Sequence, residues 1–163
     1  MQQKGLETMP KNEIISASLE DYLETIALLS SEHEHGHAHA RSIADKLNVK
    51  KPSVTNALKL LSNLGHIEYS PNLPVKLTNK GRNIAERILS RHQHLENFLS
   101  GVLHLSKKES DAIACKIEHL IDDEFVYRLG VLTEQILHEK DNHNLNKYLK
   151  LKFTSSENKK TEV

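Results

Sequence analysis

The sequence predicts a mainly α-helical protein, with an N-terminal winged helix-turn-helix that carries a small β-hairpin wing and an all-helical domain after it. Most segments between residues 18 and 139 space their apolar residues three and four apart, as amphipathic helices do. Residues 66–69 and 75–78 instead alternate in the manner of strands, and a turn with two prolines joins them. A chain of 163 residues is long enough for one or two small domains.

The composition indicates a protein of the cytoplasm rather than of a membrane or the secretory route. A single cysteine, Cys115, excludes an intrachain disulfide and fits a reducing compartment. No apolar run approaches the length of a membrane span. The N-terminus lacks the basic-then-apolar order of a signal peptide. We therefore expect a soluble, cytoplasmic protein.

The charges are unevenly distributed, although the formal net charge is zero. Between residues 41 and 91, ten Lys and Arg residues stand against three acidic residues, a balance of +7. Between residues 92 and 135, four basic residues stand against eight acidic ones, a balance of −4. A basic half beside an acidic half predicts that one part of the protein binds phosphates and another binds cations.

The first helix is predicted to begin with Ser18 as its cap, after a loose polar segment, residues 1–17. Asp21 and Glu24 lie three residues apart in it, away from its main apolar stripe. Two carboxylates in a first turn suit the helix dipole. They become candidate metal ligands only if another segment supplies ligands to meet them.

A histidine-rich tract follows this helix, with His33, His35, His37 and His39 at every second position. Such a tract can bind metal, but it is also typical of a polar, variable loop. The loop is the interpretation that we favour, with His37 and His39 entering a short strand.

Two short helices and a hairpin come next. The segment Ala40–Leu47 is amphipathic, and residues 48–50 break it. The second helix, residues 51–65, has Pro52 in its first turn, where the missing N–H does no harm, and Gly65 as its C′ residue. This order of elements predicts a winged helix-turn-helix.

If residues 51–65 form the recognition helix, its first turns enter the major groove of DNA. Ser53, Thr55 and Asn56 are then the candidates for base contacts, since an asparagine can bind adenine with two hydrogen bonds. Basic side chains supply affinity through phosphates, although each Lys alone is equally compatible with a solvated surface charge. The candidate DNA-binding residues are Arg41, Lys50, Lys51, Pro52, Ser53, Thr55, Asn56 and Lys59, with Lys76 of the wing a weaker one.

The remaining segments predict helices. A long helix is expected at residues 83–102, another at 110–121, and a third from the acidic residues 122–124 onward. Residues 144–153 add one more helix, and residues 155–163 have the composition of a disordered tail. The apolar stripes between residues 110 and 136 are the candidate subunit interface.

Cys115, Glu118 and His119 form the pattern with the clearest chemistry. On a helix, positions i, i+3 and i+4 share one face, so a thiol, a carboxylate and an imidazole would lie together. These groups offer soft, hard and intermediate ligand atoms to a divalent transition metal. The alternative is a small buried cysteine beside solvated Glu and His side chains.

Four separated segments resemble the diphtheria toxin repressor family: SLEDYLETI, IADKLNVKKPSVTNALKLLSNLGHIEY, LTNKGRNIAERILSRHQHLENFL and ACKIEHLI. The resemblance covers residues 18–137 in order and spacing. Because 163 residues leave no room for the third, SH3-like domain of the longer members, the two-domain manganese transport regulator branch is the nearer analogy. It implies a cytosolic homodimer on a palindromic operator, with a DNA-binding domain at residues 18–81, a metal-binding and dimerisation domain at 82–140, and a largely flexible extension at 141–163.

The resemblance also implies two metal sites. The first falls on Asp21, Cys115, Glu118 and His119, and the second on His92 and Glu96 with Glu24 as a bridging or alternative ligand. Asp111 stands where longer members have a histidine, which leaves its role doubtful. Cys115 departs from the manganese branch, which has a glutamate there, and agrees with the iron-responsive branch.

These observations predict a metal-dependent DNA-binding repressor, with Mn²⁺ favoured over Fe²⁺ because carboxylates outnumber the single sulfur. An iron-responsive repressor is the alternative within the family. A winged-helix module that binds DNA or protein constitutively is the alternative of a different class. We find no nucleophile motif, phosphate loop or general base beside a substrate pocket, so we do not expect an enzyme.

Overall fold

The computed structural model describes residues 15–32 and 36–138, and this part of the chain is mainly helical as predicted. The helices are α1 (Ala17–Ser31), α2 (Ala40–Leu47), α3 (Lys51–Asn63), α4 (Asn79–Asn97), α5 (Lys107–Ile117) and α6 (Asp123–His138), and the strands are β1 (Ile67–Glu68) and β2 (Lys76–Leu77). No helix in these ranges is long and apolar enough to cross a membrane. The expected helix at 144–153, the tail at 155–163, residues 1–14, His33 and His35 lie outside the described residues.

The N-terminal unit has the predicted winged helix-turn-helix. Asn48 takes a left-handed conformation (φ 52°) after α2, which turns the chain into α3. Gly65 does the same after α3 (φ 76°) and starts the hairpin, in which Ile67 pairs with Leu77. Ala38, between His37 and His39, forms an isolated bridge with Val75, so the expected short strand there is reduced to a single bridge.

One hydrophobic core holds this unit together. The inner faces of α1, α2 and α3 and of the hairpin meet in it, and α4 contributes Ala85. The fully buried side chains are Leu23, Ile26, Ile43, Val54, Leu58, Leu61 and Val75. Because α3 buries Val54, Leu58 and Leu61, its opposite face points to solvent.

Three predicted helix starts and one predicted helix end were misplaced. Ser16, not Ser18, caps α1 by accepting a hydrogen bond from the Leu19 amide. Thr78 caps α4, which begins four residues before the predicted residue 83. Ser106 and Glu109 form a capping box that starts α5 at Lys107, and α5 ends at Ile117 rather than at residue 121. In each case a side chain that satisfies free backbone amides sets the helix start.

The start of α4 is fixed to the end of α3. Thr78 Oγ1 donates to the carbonyl oxygens of Gly65 (2.8 Å) and His66 (3.0 Å). Lys80 Nζ donates to the carbonyl oxygen of Leu64 at 3.2 Å. Gly81 packs directly on the His66 carbonyl and is buried. Helix α4 therefore starts from the N-terminal unit and carries its later residues toward the second unit.

Replacing Gly81 with alanine should destabilise the protein, because a Cβ there would overlap the carbonyl oxygen of His66. We expect a loss of about 1–3 kcal/mol, as for other overpacked sites. Asn83→Ala is the matched control, since Asn83 is exposed on α4 two residues after Gly81. Urea denaturation in chelator measures both variants, and equal stability of the two would contradict the close packing at Gly81.

The second unit packs α5 and α6 on α4. A five-residue π-helical turn, Phe98–Val102, extends α4 to Val102, where the predicted helix ended. Asp123 at the start of α6 accepts from Arg91 Nε at 2.8 Å and lies 3.0 Å from Arg87 Nη2, so two arginines of α4 hold α6 in place. Leu95, Leu99 and Ala114 form the small core of this unit.

Candidate metal centre and nucleic-acid interface

Acidic and histidine side chains meet where α1, α4 and the end of α5 come together. Asp21 and Glu24 lie on α1, His92 lies on α4, and Glu118 and His119 follow the last residue of α5. They form two groups, Asp21 with Glu118 and His119, and Glu24 with His92 and Glu118. Within each group the donor atoms lie within 4.8 Å of one another.

The first group is built around the ring of His119. Its Nε2 lies 2.7 Å from Asp21 Oδ1 and 3.3 Å from Glu118 Oε1. Its Nδ1 lies 2.7 Å from Glu20 Oε2. Glu20 was missed in the sequence because an acidic residue in a first turn is ordinarily explained by the helix dipole. Its position beside Asp21 was the available signal.

The second group is built around His92. Its Nδ1 lies 2.7 Å from Glu118 Oε2, and its Nε2 lies 3.3 Å from Asp111 Oδ1. Asp111, whose role was doubtful from the sequence, thus contacts the outer side of the His92 ring. Glu118 belongs to both groups and joins them.

The electrostatics of this region favour a cation. Burial and the charge of Glu118 raise the pKa of Glu24 to about 7. The hydrogen bond with Glu118 raises the pKa of His92 to about 8, although burial opposes it. Burial also opposes the rise in the pKa of His119, which the hydrogen bond to Glu20 and the charge of Asp21 produce. The region therefore holds excess negative charge that protons partly neutralise.

The donor atoms fit a divalent metal ion. Glu118 is fully buried, and its Oε1 accepts no hydrogen bond from the part of the chain that the structure describes. A buried carboxylate oxygen of this kind is costly unless a cation or a donor meets it. Carboxylate oxygens and imidazole nitrogens are ordinary ligands of Mn²⁺ and Fe²⁺.

Two predicted ligands, Glu96 and Cys115, belong to neither group among the described residues. Glu96 is partly buried one turn beyond His92 on α4. Cys115 is exposed and α5 ends two residues after it, although Glu118, the C-cap, still has helical dihedrals and its amide donates to the Ala114 carbonyl oxygen at 3.0 Å. Burial and the nearby charges of Glu118 and Glu24 raise the pKa of the Cys115 thiol. Their participation remains a prediction.

The predicted DNA-contacting residues lie on the solvent side of α3 and around it. Pro52, Ser53, Asn56 and Lys59 are exposed on α3. Thr55 is half-buried, and its hydroxyl donates to the Lys51 carbonyl oxygen at 3.1 Å, which engages its proton within the helix. Arg41, Lys50 and Lys51 are exposed nearby, and Arg41 lies 4.0 Å from Asp45. Exposed basic side chains of this region thus lie on and beside the outward face of α3.

Two family models match successive parts of the chain. The model of the iron-dependent repressor N-terminal DNA-binding domain matches residues 15–75. The model of the iron-dependent repressor metal-binding and dimerisation domain matches residues 78–146. The chain belongs to the iron-dependent repressor family. This confirms the predicted resemblance and the predicted class, since members of the family are metal-dependent transcriptional regulators rather than enzymes.

Individual relatives agree with this membership. An uncharacterised HTH-type transcriptional regulator of Methanocaldococcus jannaschii is 38% identical over 121 residues, which are 74% of this chain and 96% of that protein. The crystal structure of T. acidophilum IdeR is 32% identical with a TM-score of 0.60, covering 71% of this chain and 54% of that one. The manganese regulator SloR is 28% identical with a TM-score of 0.62, covering 71% and 53%. The chain thus spans about half the length of these two solved structures.

Proposed function

We propose that this protein is a metal-activated DNA-binding repressor that controls metal-ion homeostasis, with Mn²⁺ as its physiological activator. One observation carries the proposal: both groups of ligand atoms combine a carboxylate of α1 with groups from α4 or the end of α5. Helix α1 packs in the core of the DNA-binding unit, whereas Glu118 and His119 belong to the second unit. A bound metal would therefore tie the two units together.

The switch follows from charge and linkage. Without metal, the carboxylates of Asp21, Glu24 and Glu118 repel one another and favour separation of α1 from the end of α5. A cation that binds only the assembled groups shifts the population toward the ordered arrangement. If that arrangement also binds the operator, metal and operator strengthen each other's binding by the same factor.

The ligand types support manganese over iron. The two groups contain carboxylate and imidazole ligands without sulfur, and hard oxygen ligands suit Mn²⁺. The solved relative SloR is named a manganese regulator. Fe²⁺ remains the second candidate because Cys115 lies near Glu118: burial and the charge of that carboxylate raise the pKa of the Cys115 thiol. A thiolate ligand would shift the metal preference toward later metals.

The deciding experiment compares binding to an operator, selected from genomic fragments, in chelator and in defined free Mn²⁺ or Fe²⁺ under anaerobic conditions. We expect weak binding in chelator, much tighter binding with metal, and a response to Mn²⁺ at the lower free concentration. Equal affinity with and without metal would instead support the constitutive winged-helix module. A response to Fe²⁺ at far lower concentration would make iron the activator.

The exposed side of α3 predicts separate roles for two of its residues. Asn56→Ala should reduce discrimination between operator and unrelated DNA by roughly 1–3 kcal/mol, because a two-hydrogen-bond contact to a base is lost. Lys59→Ala should weaken binding to all sequences and lower the salt slope by about one. Fluorescence anisotropy at several salt concentrations measures both. Unchanged discrimination in Asn56→Ala would mean that another face of α3 meets the bases.

We further propose a homodimer on a palindromic operator, since a two-fold pair of recognition helices doubles the sequence that is read. Helix α6 exposes several large apolar side chains, Phe125, Tyr127, Val131, Leu132 and Leu137, as a subunit interface requires.

Leu132→Glu should therefore shift the protein toward monomer and weaken operator binding, because it places a charge among these apolar side chains. Leu73→Glu, at an exposed leucine of the wing, should leave the oligomeric state unchanged. Sedimentation at micromolar concentration reports the outcome. A monomeric parent protein, with and without metal, would rule the dimer out.

A further inference from the structure

The His119 ring lies between two consecutive carboxylates of α1. Asp21 Oδ1 lies 2.7 Å from Nε2 on one side, and Glu20 Oε2 lies 2.7 Å from Nδ1 on the other. The side chains of His119 and Glu20 are 7% and 17% exposed, so water has little access to either. The contact from Glu20 to His119 bridges 99 positions in the sequence and links α1 to the segment after α5.

Only one nitrogen of this ring faces the candidate metal group. Nε2 lies near both Asp21 Oδ1 and Glu118 Oε1, at 2.7 and 3.3 Å. Nδ1 is turned to Glu20, which is not part of either group of ligand atoms. A neutral imidazole carries one N–H, and the nitrogen without it has the lone pair. Ligation through Nε2 therefore requires the proton to sit on Nδ1.

We propose that Glu20 is a positioning residue for this metal centre: it accepts the Nδ1–H of His119 and so directs the Nε2 lone pair at the metal. The inference rests on the proposed function, because it assumes that the group around His119 binds metal. Metal-ligating histidines commonly donate their second N–H to a carboxylate, which fixes the ring and raises its basicity. Glu20 supplies that acceptor from the DNA-binding unit.

Two other roles for Glu20 fit the geometry less well. A direct ligand would place a carboxylate oxygen among the donor atoms within 4.8 Å of one another, and Glu20 has none in either group. An acid that only complements the dipole of α1 would be solvated, whereas Glu20 is largely covered and aimed at a ring nitrogen. In the assembled arrangement Glu20 therefore holds the ring with Nε2 toward the metal group, which reduces the side-chain ordering that metal binding requires.

The test compares Glu20→Ala, which removes the acceptor, with Glu20→Gln, which keeps a neutral acceptor oxygen. Glu86→Gln is the control for loss of one negative charge, because Glu86 is exposed on α4 outside both groups. Affinity for Zn²⁺, a diamagnetic probe ion, is measured by chelator competition on the full chain. Imidazole ¹⁵N NMR of the Zn²⁺-loaded protein reports which nitrogen of His119 carries the proton.

We expect the parent to show Nδ1–H and a zinc-bound Nε2. Glu20→Ala should bind Zn²⁺ roughly 10–100-fold more weakly and show a mixture of His119 tautomers, with the proton on Nδ1 or on Nε2. The Zn²⁺ affinity of Glu20→Gln should lie between those of Glu20→Ala and the parent, and the affinity of Glu86→Gln should equal that of the parent. If Glu20→Ala does not fold, the glutamine variant decides: weaker Zn²⁺ binding than in Glu86→Gln supports the proposal, and equal binding overturns it.

The proposal is overturned if Glu20→Ala binds Zn²⁺ with the affinity of the parent, or if its His119 ring keeps the proton on Nδ1 as in the parent. It is also overturned if both Glu20 variants lose the same affinity while the proton stays on Nδ1, since loss of charge alone would then explain the weaker binding. Operator binding by the parent is measured in the same preparations. If the parent binds the operator equally well with and without metal, the proposed function is refuted. If metal strengthens operator binding by the parent but the Glu20 variants bind Zn²⁺ as the parent does, only this inference is refuted.

Discussion

Glu118→Gln should abolish metal-activated operator binding. Glu118 is fully buried and is the one residue that both groups of ligand atoms share. Its two oxygens face different histidines, Oε1 toward His119 and Oε2 toward His92. A glutamine keeps the volume of the side chain but removes the charge and replaces one oxygen by a donor NH₂ group. One site therefore loses its ligand oxygen, and the other keeps only a neutral amide oxygen.

We expect metal affinity to fall by at least about 100-fold, beyond the roughly 10–100-fold typical of losing a supporting residue. Glu24→Gln should impair only the group that contains His92. Isothermal titration gives affinity and stoichiometry for both variants, and circular dichroism in chelator shows whether they fold. Glu86→Gln again controls for charge. An unchanged stoichiometry in Glu118→Gln would mean that Glu118 is not the shared ligand.

Local patterns were sufficient to predict much of this structure. The bounds of α2 were correct because its apolar stripe is followed directly by a helix break at residues 48–50, so both signals are local in the sequence. Pro52 and Gly65 likewise marked the ends of α3. A proline is favoured in the first turn of a helix, and a glycine readily takes the positive φ that follows the last turn. Helix starts at Ser16, Thr78 and Ser106 were harder, because several neighbouring polar residues can cap and tertiary packing selects one.

The candidate site was predictable in membership more than in geometry. Family resemblance named Asp21, Glu24, His92, Glu118 and His119, and the structure brings these five together. Periodicity alone could not place Glu118 in both groups, since that depends on how α1, α4 and α5 pack. Apart from its position beside Asp21, Glu20 looks like any acidic residue of a first turn, and its role emerges only from its contact with a ring 99 positions away.

Stabilisation of the protein by Mn²⁺ should increase steeply as the pH rises from about 6 to 8. His92 has its pKa raised from 6.5 to about 8, chiefly by its hydrogen bond with Glu118. In the metal-free protein this interaction therefore contributes stability that is fully present below pH 6.5 and is lost as the pH rises through about 8. Glu24, with its pKa raised from 4.5 to about 7, mainly by burial, adds to the trend at the lower end, because its ionisation opposes folding as the pH rises from about 4.5 through 7.

Metal binding requires the opposite protonation states, a neutral His92 and an ionised Glu24. Each proton that metal displaces lowers the apparent affinity about tenfold per pH unit below the pKa of its group. From pH 8 to 7 His92 becomes mostly protonated and Glu24 about half protonated, so affinity should fall about tenfold. From pH 7 to 6 both groups continue to take up protons and the fall should be on the order of 50-fold, steepened by protonation of His119, whose pKa is also raised. Thermal unfolding in chelator and in fixed free Mn²⁺ across this range measures the difference. Glu24→Gln should flatten the lower part of the profile, and a metal-induced shift in Tm that is independent of pH would show that neither proton is displaced.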